Sequence, residues 1–134
     1  MPKKKRSFRD IIDDISIIKK TLEFPDGKYV GQVKNDIRDG AGTMYLNTGI
    51  VVEGLWKKKL IDNKCNMIYK NGDIFKGFVD KNYIIQDNRR GDMSYANGDY
   101  YSGYWKNGKR DGYGEIKYAN GDRYEGQWKD DNPV

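Results

Sequence analysis

The chain of 134 residues has no histidine. That excludes Ser-His-Asp and Cys-His nucleophile systems and any histidine-ligated metal site. It has one cysteine, Cys65, so no internal disulfide can form, and a reducing intracellular compartment is the simpler expectation. No apolar run approaches the length of a membrane span, and the N-terminus lacks the apolar core of a signal peptide. A soluble intracellular protein is expected. Mean hydropathy is −0.96 and hydrophobic content 37%, too low for a thick multi-layer core.

What is abundant is aromatic and glycine. There are 11 Tyr, 3 Trp, 4 Phe and 16 Gly, a mixture that suits short twisted strands and tight turns rather than disorder. The formal net charge is +5, much of it in Lys3, Lys4, Lys5 and Arg6. Residues 1–6 read as a flexible basic tail. Such a tail serves as a solvated terminus, a nuclear-import signal, or an attractor of acidic lipid or nucleic acid.

Residues 7–20 change character. Phe8, Ile11, Ile12, Ile15 and Ile18 recur at spacings of three and four, the signature of one apolar helix face. Ser7 with Asp10 resembles a capping box, and Lys19 and Lys20 suit a helix C-terminus. The spacing predicts a short amphipathic helix over 7–20 that caps the domain. The alternative is an anchor on an acidic membrane surface, against which Asp10, Asp13 and Asp14 on the polar face weigh.

From residue 21 to about 131 the chain repeats. An aromatic or apolar residue stands at Tyr29, Val52, Phe75, Tyr101 and Tyr124. Two residues on come Gly31, Gly54, Gly77, Gly103 and Gly126, and two further Val33, Trp56, Val79, Trp105 and Trp128. The steps are 23, 23, 26 and 23 residues, the long one carrying an insertion near Tyr83-Ile84-Ile85. Counting back from Gly27, Gly49, Gly72, Gly98 and Gly121, apolar residues fall three and five positions earlier, for example Tyr95 and Met93. Period two marks strands with one apolar face. Each unit therefore reads as a β-hairpin. Asn-Gly pairs are expected to form two-residue turns on one edge, with longer polar loops on the other. Residues 132–134 are left as a C-terminal tail.

The stretch Tyr101-Ser-Gly-Tyr-Trp-Lys-Asn-Gly-Lys-Arg-Asp-Gly-Tyr-Gly114, with Tyr124-Glu-Gly-Gln-Trp128, closely resembles the MORN repeat (membrane occupation and recognition nexus). The resemblance covers about residues 22–131. The second unit departs from it with Val52 and Asn63-Lys-Cys65, the third with its insertion and Arg89, and the first with Val33 in place of Trp. The fold it implies is mainly β: an elongated, twisted, single-layer antiparallel sheet of hairpins, preceded by the short helix. It also implies a platform for protein–protein interaction, scaffolding or phospholipid contact, and no catalytic activity or cofactor.

Residue patterns agree with that reading. No calcium loop, Walker-type loop or carboxylate pair stands out, and the repeated Asp73, Asp99 and Asp122 suit turn chemistry better than general acids. Two surfaces are candidates. One is the aromatic face carrying Tyr101, Trp105, Tyr118, Tyr124, Trp128 and Trp56, which either curls into its own groove or is covered by another chain. The other is a basic row on the loop edge: Lys57, Lys58, Lys59, Arg89, Arg90, Lys106, Lys109 and Arg110. The expected function is a non-enzymatic scaffold or adaptor binding protein partners, including further copies of itself, within a larger complex or a virion. Its alternative is a peripheral module that binds acidic phospholipid through tail, helix and basic row. Nucleic acid is expected only at the basic tail. The bias to Lys, Asn, Ile and Tyr fits an AT-rich genome and does not separate a viral from a cellular role.

Overall fold

A computed structural model describes residues 18–134. The basic tail Lys3–Arg6 and the apolar positions Phe8, Ile11, Ile12 and Ile15 lie outside the described residues. Residues 18–20, expected to end the helix, instead open the first strand. The reason is local pairing. β1 (Ile18–Phe24) matches β2 (Gly27–Lys34) from Ile18↔Val33 to Phe24↔Gly27, so the ladder takes up the backbone groups of Ile18–Lys20. Ile18 is half exposed, not part of a buried face.

The described residues form one open antiparallel sheet of 12 strands in chain order. After β2 come β3 (Ile37–Leu46), β4 (Val51–Lys57), the two-residue β5 (Lys59–Leu60), a 3-10 turn at Ile61–Asn63 and β6 (Lys64–Ile68). Then follow β7 (Ile74–Phe78), β8 (Arg90–Ser94), β9 (Tyr100–Lys106), β10 (Lys109–Lys117), β11 (Arg123–Lys129) and β12 (Asn132–Pro133). Each strand pairs with its sequence neighbour, except that β4 pairs both the side strand β5 and β6. No helix among the described residues is long and apolar enough to cross a membrane.

The turn chemistry reverses the expected edges. At Tyr95-Ala96-Asn97-Gly98, the Gly98 N–H donates to the Tyr95 carbonyl at 2.9 Å. Only Gly98 has positive φ, at 99°, and the Tyr95 N–H donates to the Asp99 carbonyl, so three residues rather than two link the strands, a turn followed by a left-handed glycine. Asn97 stays out of the left-handed region because its side-chain oxygen accepts the Asp99 N–H at 2.9 Å, closing an Asx turn. Asn71–Asp73 and Asn120–Asp122 repeat the device. The two-residue turns with both residues at positive φ lie on the opposite edge, at Asn35-Asp36, Asn107-Gly108 and Asp130-Asp131. Their twist matches the flanking strands.

One face of this single layer is buried. Tyr29, Met44, Val52, Trp56, Met67, Phe75, Val79, Tyr101 and Ile116 are all below 2% exposed. Since no second layer among the described residues covers them, the sheet curls over its own aromatic face. A cavity lined by residues from both edges, Asp73 on one and Gly108 and Asp131 on the other, records that curl.

Candidate functional site: the concave face and its arginine notches

Each aromatic–glycine unit builds its part of the concave face in the same way. Gly103 and Gly114 lie opposite one another on β9 and β10, beneath the ring of Tyr101. A Cβ at Gly114 would fall 2.4 Å from the Tyr101 hydroxyl oxygen, so the bare backbone is what lets the ring lie flat. The Tyr101 hydroxyl then donates to the Tyr104 carbonyl at 2.7 Å. Tyr29 and Tyr124 do likewise to Gln32 and Gln127. The three tryptophans act as pegs between neighbouring units. Each donates its indole N–H to a glycine carbonyl 14 residues back: Trp56 to Gly42, Trp105 to Gly91 and Trp128 to Gly114, at 3.0–3.1 Å. Edge-on ring contacts run along the series, Tyr101 meeting both Trp105 at 5.1 Å and Trp128 at 5.4 Å.

This geometry corrects the aromatic-surface expectation. Trp56, Tyr101, Trp105 and Trp128 are 0–3% exposed, packed against glycines and each other, and present almost nothing to a partner. Tyr118 and Tyr124 remain half-buried. The residues that line the groove above the core are instead the second-strand tyrosines. Tyr69 and Tyr95 line a cavity of about 300 Å³ together with Asn71, Asp73, Ile85, Met93, Trp105, Gly108, Arg110 and Asp131. Burial pushes both phenols up to about 12. Unlike Tyr29, Tyr101 and Tyr124, neither bonds its hydroxyl to another group among the described residues.

The basic row divides. Lys57, Lys58, Lys59, Lys106 and Lys109 are exposed at the ends of β4, β5, β9 and β10. The arginines turn back onto rings: Arg89 lies 3.5 Å from the Phe78 centroid and Arg90 5.8 Å from that of Tyr104. Arg110 sits 4.7 Å over Trp128 and 5.5 Å from Tyr95, with its Nε 3.2 Å from the Asp131 carboxylate. Arg38, absent from the sequence-derived row, does the same at the other end, 4.4 Å over Phe24 and 4.6 Å over Trp56. The signal for it was its place in the unit. Arg38 and Arg110 both stand opposite the residue at the Trp position, Val33 and Trp105 respectively.

The insertion after Val79 folds into the groove. Asp80 Oδ1 accepts the N–H groups of Asn82 and Ile84 at 2.8 and 3.0 Å, forming a tight loop with Tyr83 at φ 61°. The Tyr83 ring lies 6.5 Å from Trp56, and its hydroxyl is 3.5 Å from an Arg38 guanidinium nitrogen. The turn aspartates bind across units: Asp73 Oδ1 accepts the Ala96 N–H at 2.8 Å and Asp99 Oδ1 that of Ala119 at 2.9 Å. Among the described residues, no cluster of three or more His, Cys, Asp or Glu could hold a metal ion.

Residues 29–51, 101–123 and 124–134 match the family model described as MORN repeat. No curated protein matched the chain. MORN repeats form a non-catalytic family and serve generally as protein- or membrane-interaction modules. The glycine-seated tyrosines Tyr29, Tyr101 and Tyr124 and the indole pegs Trp105 and Trp128 fall in those three segments, and these segments are MORN repeats.

Proposed function

We propose that the protein is a non-enzymatic scaffold or adaptor whose concave groove binds a protein partner. The observation that carries this reading is the line of half-buried second-strand tyrosines, with the Tyr69 and Tyr95 hydroxyls lacking a partner among the described residues and lying above an apolar floor. Half-buried aromatic residues with a free polar tip favour protein contacts. A photo-crosslinking residue at position 118, on the groove, is expected to give a discrete protein adduct in the native source. The same residue at Lys76, exposed on the opposite face, should give none. Identical adducts from both positions would refute the groove.

The membrane reading rests on the exposed lysines at 57–59, 106 and 109 and on the exposed Arg89 and Arg90, and it is weakened because Arg110 is held on Trp128 and paired with Asp131. Salt-sensitive co-sedimentation with acidic liposomes, lost on deleting residues 1–17, would support it over the scaffold. The deletion must stop at 17, since Ile18–Lys20 belong to β1.

A further inference from the structure

The sequence holds four Asn-Gly pairs: Asn71-Gly72, Asn97-Gly98, Asn107-Gly108 and Asn120-Gly121. In such a pair the asparagine carboxamide is open to attack by the next backbone nitrogen, because glycine has no side chain to shield it. Three of the pairs are held on both sides of that reaction. The carboxamide oxygens of Asn71, Asn97 and Asn120 accept the N–H groups of Asp73, Asp99 and Asp122 at 2.9–3.0 Å. Their amide nitrogens donate to the carboxylates of the same aspartates at 3.1–3.2 Å. The nitrogens that would attack are bonded as well: Gly72, Gly98 and Gly121 donate their N–H groups to the carbonyls of Tyr69, Tyr95 and Tyr118 at 2.9 Å.

The fourth pair is built differently. Asn107-Gly108 is the two-residue turn between β9 and β10, both residues exposed and at positive φ, 51° and 73°. Among the described residues the Asn107 carboxamide makes no hydrogen bond, and the Gly108 N–H donates to no acceptor. The Asn107 backbone N–H is held, by Asp87 Oδ1 at 2.8 Å. A Cβ at Gly108 would meet nothing within 4 Å, so no neighbouring group crowds the turn. Electrophile and nucleophile are tied down in three pairs and untied in this one.

We infer that Asn107 is a site of spontaneous deamidation, and the one Asn-Gly pair of the four that the fold leaves reactive. The Gly108 nitrogen loses its proton to solvent and attacks the Asn107 side-chain carbonyl carbon, forming a new N–C bond. The carboxamide C–N bond breaks, and its nitrogen takes up a proton from solvent and leaves as ammonia, which closes a succinimide ring. Water then adds to either ring carbonyl and opens the ring, giving aspartate or isoaspartate at position 107. Nothing is oxidised or reduced, and water is the co-reactant. The product places a carboxylate between the exposed Lys106 and Lys109 and near Asp87, on the basic loop edge. Isoaspartate also adds a methylene to the main chain of the turn that sets the Lys106↔Lys109 pair.

The test is peptide mapping by mass spectrometry on the full chain aged in warm, mildly alkaline buffer, with the same chain unfolded in guanidinium as the reference. In the folded protein the Asn107 peptide should convert to its acid form at least about tenfold faster than the Asn71, Asn97 and Asn120 peptides, the factor that breaking one or two hydrogen bonds carries. In guanidinium the four should convert at closely similar rates, because the fold and not the dipeptide sets the difference. The product at 107 should contain isoaspartate beside aspartate, since the ring opens on both sides. Asn107→Gln keeps a carboxamide but moves it one bond further from Gly108, and should remove the acidic species that appears on ageing in ion-exchange profiles. Equal rates at the four sites in the folded protein, or a faster site among the other three, would overturn the inference. So would an Asn107 advantage that survives unfolding, aspartate without isoaspartate, or an acidic species unchanged in Asn107→Gln.

Discussion

Gly103→Val tests the principle on which the sheet is built. A Cβ at Gly103 would meet the Gly114 Cα at 2.5 Å, the Tyr101 hydroxyl oxygen at 2.6 Å and the Tyr113 carbonyl at 2.6 Å. Two of these are backbone atoms of the paired strand β10, so no rotamer change relieves them. Overpacking a well-packed site typically costs about 1–3 kcal/mol. Here the strands must separate or Tyr101 must leave its glycine seat, which places the cost at about 3 kcal/mol or above. For a domain near this size that is a fall in Tm of roughly 10–20 °C. The comparison is Ser102→Val, one residue along and facing outward. It loses the Ser102 Oγ bond to Asp92 at 2.6 Å but gains a β-branched strand residue, and a shift within about 5 °C is expected. Far-UV circular dichroism melts of the two variants make the measurement. Equal melting temperatures would refute the seated-ring account of the fold.

Two further outcomes are expected. Burial raises Tyr69, Tyr95 and Tyr101 from 10.0 to about 12 in the folded state. The unfolded chain therefore releases these protons first. Stability should be insensitive to them below pH 10 and fall between pH 10 and 12, with absorbance at 295 nm showing late, cooperative tyrosine ionisation; ordinary titration of all tyrosines near pH 10 in folded protein would contradict this. Asp99→Ala removes the acceptor for the Ala119 N–H and for its own Asx turn partner, Asn97. A loss of about 1 kcal/mol is expected, with faster amide exchange at Ala119 as the local readout; unchanged exchange there would argue against the cross-unit bond.

The repeat register was readable because glycine and aromatic residues return at a fixed interval, and only their joint placement lets rings lie on bare backbone. Residues 29–51 and 101–134 carried the family pattern for the same reason. Three features were not readable in that way. Asn-Gly was assigned to two-residue turns, but the Asp that follows offers Asn an Asx turn, and this competing bond selects the longer turn. The aromatic row was expected either to curl into its own groove or to be covered by another chain; period two gives the face of a strand but does not choose between the two, and the burial of Trp56, Tyr101, Trp105 and Trp128 does. Arg38 was missed because basic residues were counted by loop, while its role follows from the position opposite Val33.

The indole pegs also decide how the sheet would carry load. Trp56, Trp105 and Trp128 each fasten one hairpin to its predecessor. Between β6 and β7 that fastening is missing: Val79 stands at the peg position and Cys65, 14 residues back, at its seat. The inserted loop bridges the gap, since Tyr83 reaches back to Trp56 and Arg38 on the far side. Under tension along the strand-stacking direction, this junction would behave as a hinge with a splint laid across it. Shortening the insertion to restore the 23-residue step would remove the splint without supplying a peg, turning the most regular spacing into the weakest joint.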